Sequence, residues 1–232
     1  MNRIWITRSQ PGAEQSAAAF KNVGFTPLIA PLLEITPPKT IPALPPDDAV
    51  LIFTSKNGVN AFCTQASSRD WPVVTVGDAT AELARSYGFS NIRSADGRGS
   101  DIPVMLASDP ATNRLYVHVS GSHVRGDIVG ALQRQGRKAR RDIYYQSTPV
   151  ERFPDINLHD IEFIVFYSPM TAQTFVGFMA DTAHITAISL SPDIDDVLAP
   201  LDFTKRYVAD KPTQNALLKA AQQSLRERPK TR

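Results

Sequence analysis

Apolar positions along this chain alternate between short continuous runs and stretches at helical spacing. Ile4-Trp5-Ile6 is a β run, Ser9-Gln10-Pro11-Gly12 follows as turn and cap, and Ala13, Ala17 and Phe20 then recur at helical spacing up to Gly24. A second strand is predicted over 26–35. Much further on, Leu115-Tyr116-Val117-His118-Val119 leads into Ser120-Gly121-Ser122. There follow a helix carrying Ile128, Val129 and Leu132, a stop at Gly136, and a strand through Ile143-Tyr144-Tyr145. The order of patterns is the same in both places.

Corresponding landmarks lie at a nearly constant distance. Ile4 with Tyr116, Gly24 with Gly136, Ser55 with Ser168, Gly77 with Ser191 and Ser100 with Thr213 are separated by 112 to 114 positions. Each half holds strand, helix, strand, then an apolar strand ending in Ser: Leu51-Ile52-Phe53-Thr54-Ser55 and Ile164-Val165-Phe166-Tyr167-Ser168. A helix follows each, then another strand, a small polar turn and a helix, and a last helix opened by Ser100 or Thr213. Uninterrupted apolar strands between helices are the mark of parallel sheets covered on both faces and joined by right-handed crossovers. The fold class is therefore α/β, with two parallel-sheet domains of flavodoxin-like size.

Composition adds two points. Against a prior of ~150 residues per domain the chain comes to about one and a half, so two compact domains would fit, and 18 prolines outnumber 12 glycines in 232 residues. Pro31, Pro37, Pro38, Pro42, Pro45 and Pro46 crowd one passage, where missing donors and a stiff backbone suit an extended crossing between domains. Residues 147–154 lie at the matching place in the other half.

Charge and motifs narrow the function. With 25 Lys+Arg against 23 Asp+Glu, a surface for nucleic acid or acidic membrane is not the default. The densest basic run, Arg134, Arg137, Lys138, Arg140 and Arg141, reads as a solvated helix end complementing the dipole. No apolar run could span a bilayer, and Met1-Asn2-Arg3-Ile4-Trp5 enters a strand pattern rather than an export leader, so a cytoplasmic protein is expected. The lone Cys63 fits a reducing compartment and reads as a small buried side chain. Neither a dinucleotide nor a nucleoside-triphosphate phosphate loop is present, Gly97-Arg98-Gly99 included, and His118, His123, His159 and His184 lack metal spacing.

What the chain does offer is a set of small, hydroxyl-rich turns after its strands. They are Thr7-Arg8-Ser9, Thr54-Ser55-Lys56, Gly77-Asp78-Ala79-Thr80, Ser120-Gly121-Ser122, Ser168-Pro169-Met170-Thr171 and Ser191-Pro192-Asp193. Any one of them is explained by the N-cap preference of Ser, Thr and Asp. Together, at the carboxyl ends of two parallel sheets, they describe two rims of donors around a cleft for an anionic ligand.

The turns and strands in this order resemble the uroporphyrinogen-III synthase family. The resemblance is carried by Ile6-Thr7-Arg8, Leu51-Ile52-Phe53-Thr54-Ser55-Lys56-Asn57-Gly58-Val59, Val76-Gly77-Asp78-Ala79-Thr80-Ala81, Gly121 with Arg125, Tyr144-Tyr145-Gln146-Ser147, Phe166-Tyr167-Ser168-Pro169 and Pro212-Thr213. It implies a discontinuous first domain, 1–32 plus 147–232, an inserted second domain, 33–146, and a two-stranded hinge near Pro31 and Ser147. It implies a cytoplasmic monomer that closes the linear tetrapyrrole hydroxymethylbilane, inverts the last pyrrole ring and releases water. The substrate's electron-rich pyrrole supplies the driving force, so no cofactor and no metal are called for, nor any nucleic-acid or membrane partner. Aligned backbone N–H groups can hold an octa-anionic substrate without a strongly basic surface, and the protein's main task is to hold a floppy chain in one conformer.

The resemblance nominates Tyr145 as the phenol that assists departure of the hydroxyl, with Arg8, Thr54, Ser55, Lys56, Asp78, Thr80, Gly121, Ser122, Arg125, Ser168 and Thr171 facing the substrate. The residues alone leave Tyr145 open between a general acid and a tyrosine packing beside Tyr144 at a strand end. Ser191-Pro192-Asp193-Ile194-Asp195-Asp196 departs from the family's turn, and its three carboxylates would repel an anion, so it is left outside the site. The competing class is a non-catalytic two-lobed binder of a small anionic metabolite.

Overall fold

A computed structural model describes residues 2–95, 97–110, 113–124 and 126–227. In chain order the first elements are β1 (Arg3–Ile6), α1 (Gly12–Asn22), β2 (Thr26–Ile29), β3 (Leu33–Thr36), β4 (Val50–Phe53), α2 (Lys56–Cys63), β5 (Val73–Thr75), α3 (Asp78–Ser86), β6 (Ile92–Ser94) and α4 (Asp101–Ala107). There follow β7 (Leu115–Gly121), α5 (Ile128–Arg134), β8 (Lys138–Pro149), β9 (Phe163–Phe166), α6 (Pro169–Gly177), β10 (Thr186–Ser189), α7 (Pro192–Leu198), β11 (Lys205–Val208) and α8 (Gln214–Arg226).

These elements form two compact units, Met1–Glu34 with Thr148–Arg232, and Ile35–Ser147. The first holds a five-stranded sheet ordered β11-β10-β9-β1-β2, in which every adjacent pair is parallel. The six-stranded sheet is ordered β3-β8-β7-β4-β5-β6. The chain leaves the first unit within β3 and returns within β8. Each sheet thus combines strands from both copies of the sequence repeat: β1 and β2 with β9 to β11, and β4 to β6 with β7 and β8.

The central strands are buried on both faces, which is why they read as unbroken apolar runs. In β9, Phe163 and Val165 join the cluster around Ile4, Ile6 and Phe20, whereas Ile164 and Phe166 join that around Trp5 and Phe175. In β4, Leu51 and Phe53 pack with Phe62 and Trp71, whereas Val50 and Ile52 pack with Tyr116 and Leu132. Each fully buried side chain of this size contributes roughly 1.5–3 kcal/mol.

Two expectations about the chain path are corrected. The strand predicted over 26–35 is two strands in two different sheets, β2 and β3, broken at Ala30-Pro31-Leu32. Pro31 has no N–H to continue the ladder, and the flanking groups bond elsewhere: Trp5 Nε1 donates to the Ala30 carbonyl (2.6 Å) and Leu32 N to that of Thr7 (2.9 Å). Of the six prolines read as a crossing, Pro31 alone precedes it. Pro37, Pro38, Pro42, Pro45 and Pro46 belong to an irregular stretch of the second unit between β3 and β4. There the Pro46 carbonyl accepts from Trp71 Nε1 (2.8 Å), tying the stretch to the core.

Candidate functional site

In the second unit the chemistry gathers where β4, β7 and β8 end. Ser55 caps α2 with its Oγ, which accepts from Gly58 N at 3.1 Å, and the same oxygen lies 2.9 Å from the phenolic oxygen of Tyr145. β7 and β8 pair in register from Leu115 and Lys138 to Ser120 and Ile143, after which Gly121 faces Tyr145. One residue, Tyr144, is therefore extra on β8, as in a β-bulge. Tyr144 and Tyr145 both reach α2 as a result. Tyr144 is buried against Phe62 (centroids 5.3 Å apart), and burial, with Asp142 adding to it against Arg140, pushes its phenol up to about 12. Tyr145 is half-buried, its hydroxyl on Ser55.

The backbone beyond β7 is held from two sides. Ser122 N donates to the Tyr145 carbonyl (3.0 Å), and a Cβ placed on Gly121 would stand 2.6 Å from Tyr145 Cε2, so the ring rests on bare backbone. Arg141 donates from Nε to Ser120 Oγ (2.8 Å) and from Nη2 to the carbonyls of Gly121 (2.6 Å) and Ser122 (2.7 Å). His118, the ladder partner of Arg141, is 3% exposed, and its Nε2 lies 3.1 Å from Thr54 Oγ1. Burial, reinforced by the Arg141 charge, brings its ring down to about 4 and leaves it neutral at pH 7.

Two sequence expectations fail here. Ser120-Gly121-Ser122 is not a helix-opening turn: Ser120 and Gly121 end β7, and α5 opens at Asp127, whose side chain accepts from Gly130 N (2.8 Å). Nor is the basic run a solvated helix end. Arg134 alone closes α5, 3.6 Å from Asp127, while Arg140 pairs with Asp142 (3.0 Å) along β8. Arg137 is 5% exposed and donates to the Tyr116 hydroxyl (3.0 Å) and to the carbonyls of Leu106, in the last turn of α4, and Asp109, just past it. It adds a side-chain donor to carbonyls at and just beyond the end of α4.

Of the other residues nominated in this unit, Lys56 is half-buried at the first position of α2. Asp78 is exposed at the start of α3, and Thr80 is 6% exposed, packed inside the unit. Arg125 lies outside the described residues. Cys63 ends α2, half-buried, its thiol pushed up to about 11 by burial against the opposing Arg69 charge, which makes it a poor nucleophile.

The first unit carries a second set of groups. Ser168 caps α6, accepting from Thr171 N (3.2 Å), and its Oγ lies 2.8 Å from Thr171 Oγ1. Arg8 stacks its guanidinium over Tyr167 (4.5 Å to the centroid) and donates to Ser16 Oγ (3.3 Å). Burial raises the Tyr167 phenol, against neighbours that include Ser16 and Arg8. Thr7 is buried and donates to the Val165 carbonyl (2.6 Å). Ser191 opens α7 without a side-chain cap, and Asp195, 3.6 Å from Arg206, belongs to a local ion pair.

Within one unit, then, Tyr145, Ser55, Gly121 and Ser122 stand together, and Thr54 is bonded to His118 beside them. His118 and Arg141 escaped sequence reasoning. A histidine inside the run Tyr116-Val117-His118-Val119 sits at an interior strand position, and that was the available signal. Among the described residues no three His, Cys, Asp or Glu side chains are grouped to hold a metal, and no helix is long and apolar enough to cross a membrane.

The model of the family described as Uroporphyrinogen-III synthase HemD matches residues 14–219. The uroporphyrinogen-III synthase of Saccharomyces cerevisiae is 25% identical over 171 residues, 64% of this chain and 62% of the yeast protein, so the match spans a little under two thirds of that relative. The crystal structure of uroporphyrinogen-III synthetase from Helicobacter pylori superimposes with a TM-score of 0.66 at 19% identity, over 97% of this chain and 99% of that one. A mutant uroporphyrinogen III synthase from Thermus thermophilus gives 0.52 at 13% identity, over 98% and 100%. What is shared with these structures is the α/β fold with its parallel sheets.

Proposed function

Because the chain belongs to the uroporphyrinogen-III synthase HemD family, we propose that it closes hydroxymethylbilane to uroporphyrinogen III, a cyclising lyase reaction that inverts the terminal pyrrole ring and releases water. The observation that carries this reading is the family match across residues 14–219. The geometry supports it in the second unit, where a half-buried phenol and a serine hydroxyl meet at the positive end of α2.

In this reading Tyr145 donates its proton to the departing hydroxyl, leaving an azafulvene-type cation. The substituted carbon of the terminal ring attacks this cation, the spiro intermediate fragments and recloses through that ring's free α-carbon with the ring inverted, and the proton lost from that carbon restores the pyrrole and the Tyr145 phenol. The same reading has Ser55, whose Oγ accepts from Gly58 N, donate its hydrogen to the Tyr145 oxygen 2.9 Å away, which leaves the phenolic hydrogen for the substrate. Each unit would take carboxylates at its own groups, the capped start of α2 with Lys56 in the second and the capped start of α6 with Arg8 in the first. In this reading the chain works as a monomer in the cytoplasm, a reducing compartment that fits the lone Cys63.

Incubation with freshly prepared hydroxymethylbilane, followed by resolution of the product isomers, tests the proposal. Excess of the inverted isomer above the spontaneous background supports it. Only the uninverted isomer at the spontaneous rate, with tight binding of a small anion instead, would overturn it in favour of a non-catalytic binder.

A further inference from the structure

We infer that Arg141 is a positioning residue for Tyr145: it fixes the end of β7 so that the segment on which the Tyr145 ring rests cannot shift. The inference builds on the reading of Tyr145 as the proton donor.

The extra residue on β8 is the origin of the arrangement. Where Gly121 faces Tyr145 instead of Tyr144, the regular ladder is interrupted; the Ser120 hydroxyl donates to the Gly121 carbonyl (3.1 Å), and further side-chain donors hold the segment. Arg141 supplies them, reaching the Ser120 hydroxyl with Nε and the Gly121 and Ser122 carbonyls with Nη2. Three contacts from one planar, permanently charged group fix a short backbone segment in a way a single ammonium cannot.

Two of these three residues, Gly121 and Ser122, touch Tyr145. Its carbonyl accepts from Ser122 N, and its ring lies so close to Gly121 that a methyl group there would overlap Cε2 and Cζ. The phenol is therefore placed from two sides, its oxygen by Ser55 and its ring and carbonyl by the backbone at 121–122. The neighbouring Arg140 is paired with Asp142 and forms none of these contacts. Of the two consecutive arginines, one belongs to a local ion pair and the other supports the site.

The test combines kinetics with a readout that needs no turnover. Arg141→Met should lower kcat about 10²-fold, the scale of an ~1 Å misplacement, and leave KM nearly unchanged, with Arg141→Lys between it and the parent. In a Tyr145→Phe background the same substitution should cost almost nothing further. In protein carrying ring-13C tyrosine, Arg141→Met should move or broaden the Tyr145 resonance, identified by its loss in Tyr145→Phe, and leave that of Tyr87, exposed at the end of α3, in place. An unmoved Tyr145 resonance, or an equal kcat loss with and without the Tyr145 hydroxyl, would overturn the inference. If the parent protein does not invert the ring at all, the functional reading fails, and the resonance comparison still decides whether Arg141 positions Tyr145.

Discussion

The hydroxyl of Tyr145 lies 2.9 Å from Oγ of Ser55, a serine that also caps α2 through Gly58 N. A phenol in this position has its oxygen tied to a helix start and the rest of its ring half-exposed. Tyr145→Phe should lower turnover of hydroxymethylbilane by one to two orders of magnitude, within or just below the ~10²–10⁴-fold that a positioned acid contributes. Stability should change by only about 1 kcal/mol, since one hydrogen bond is lost and Ser55 keeps its cap. Isomer-resolved rates and urea titration of the same samples separate the two effects, and a near-normal rate would assign the catalysis to substrate positioning alone.

Gly121 is the seat of that ring. A Cβ there would lie 2.6–2.7 Å from Cε2 and Cζ of Tyr145, so Gly121→Ala must push the ring out or the strand back. The expected cost is about 1–3 kcal/mol from overpacking, with a turnover loss comparable to that of Tyr145→Phe. Because the overlap is with the ring, adding Tyr145→Ala should remove most of the stability penalty of Gly121→Ala. Urea midpoints for the four proteins of this cycle are the measurement; additive penalties would show that backbone strain, not the ring, is responsible.

Two serines that look alike in sequence should behave differently. Ser168 and Ser191 both precede Pro and open a helix, but Ser168 Oγ accepts from Thr171 N whereas Ser191 makes no side-chain cap bond. Ser168→Ala should cost about 1 kcal/mol, the usual value of a lost N-cap, and Ser191→Ala only about 0.5 kcal/mol or less, as at an ordinary surface position. Thermal or urea unfolding of the two variants is sufficient, and equal losses would contradict the assignment.

The sheets were legible because β4 and β9 are buried on both faces, and such strands must be apolar at every position. The repeat was legible for the same reason, as equivalent strands impose equivalent runs. The break at Pro31 was not, since Thr26 to Thr36 reads as β-compatible on both sides and only pairing shows that β2 and β3 belong to different sheets. Asp127 was missed as a helix start because the hydroxyl cluster at 120–122, five residues earlier, offers the same capping chemistry. Arg137 and Arg141 were misread because a run of basic residues says nothing about which carbonyls lie within reach. Those carbonyls lie at the end of α4 and beside the bulge in β8, and only the tertiary pairing brings the arginines to them.

His118 makes the stability of the fold depend on pH in a predictable direction. Its ring is buried beside Arg141 and stays neutral until about pH 4, whereas in the unfolded chain it takes up its proton near 6.5. Between these values the unfolded chain binds more protons than the native one, so stability falls as pH is lowered from 6.5 to 4 and this contribution levels off below. The loss from this one residue amounts to about 3 kcal/mol at most. His118→Gln removes the titrating group and retains an amide able to bond Thr54. The difference in unfolding free energy between parent and variant, measured from pH 7 to pH 4, cancels the carboxylates common to both. That difference should move in the variant's favour on acidification, and a difference constant with pH would mean that His118 is not held neutral in the native protein.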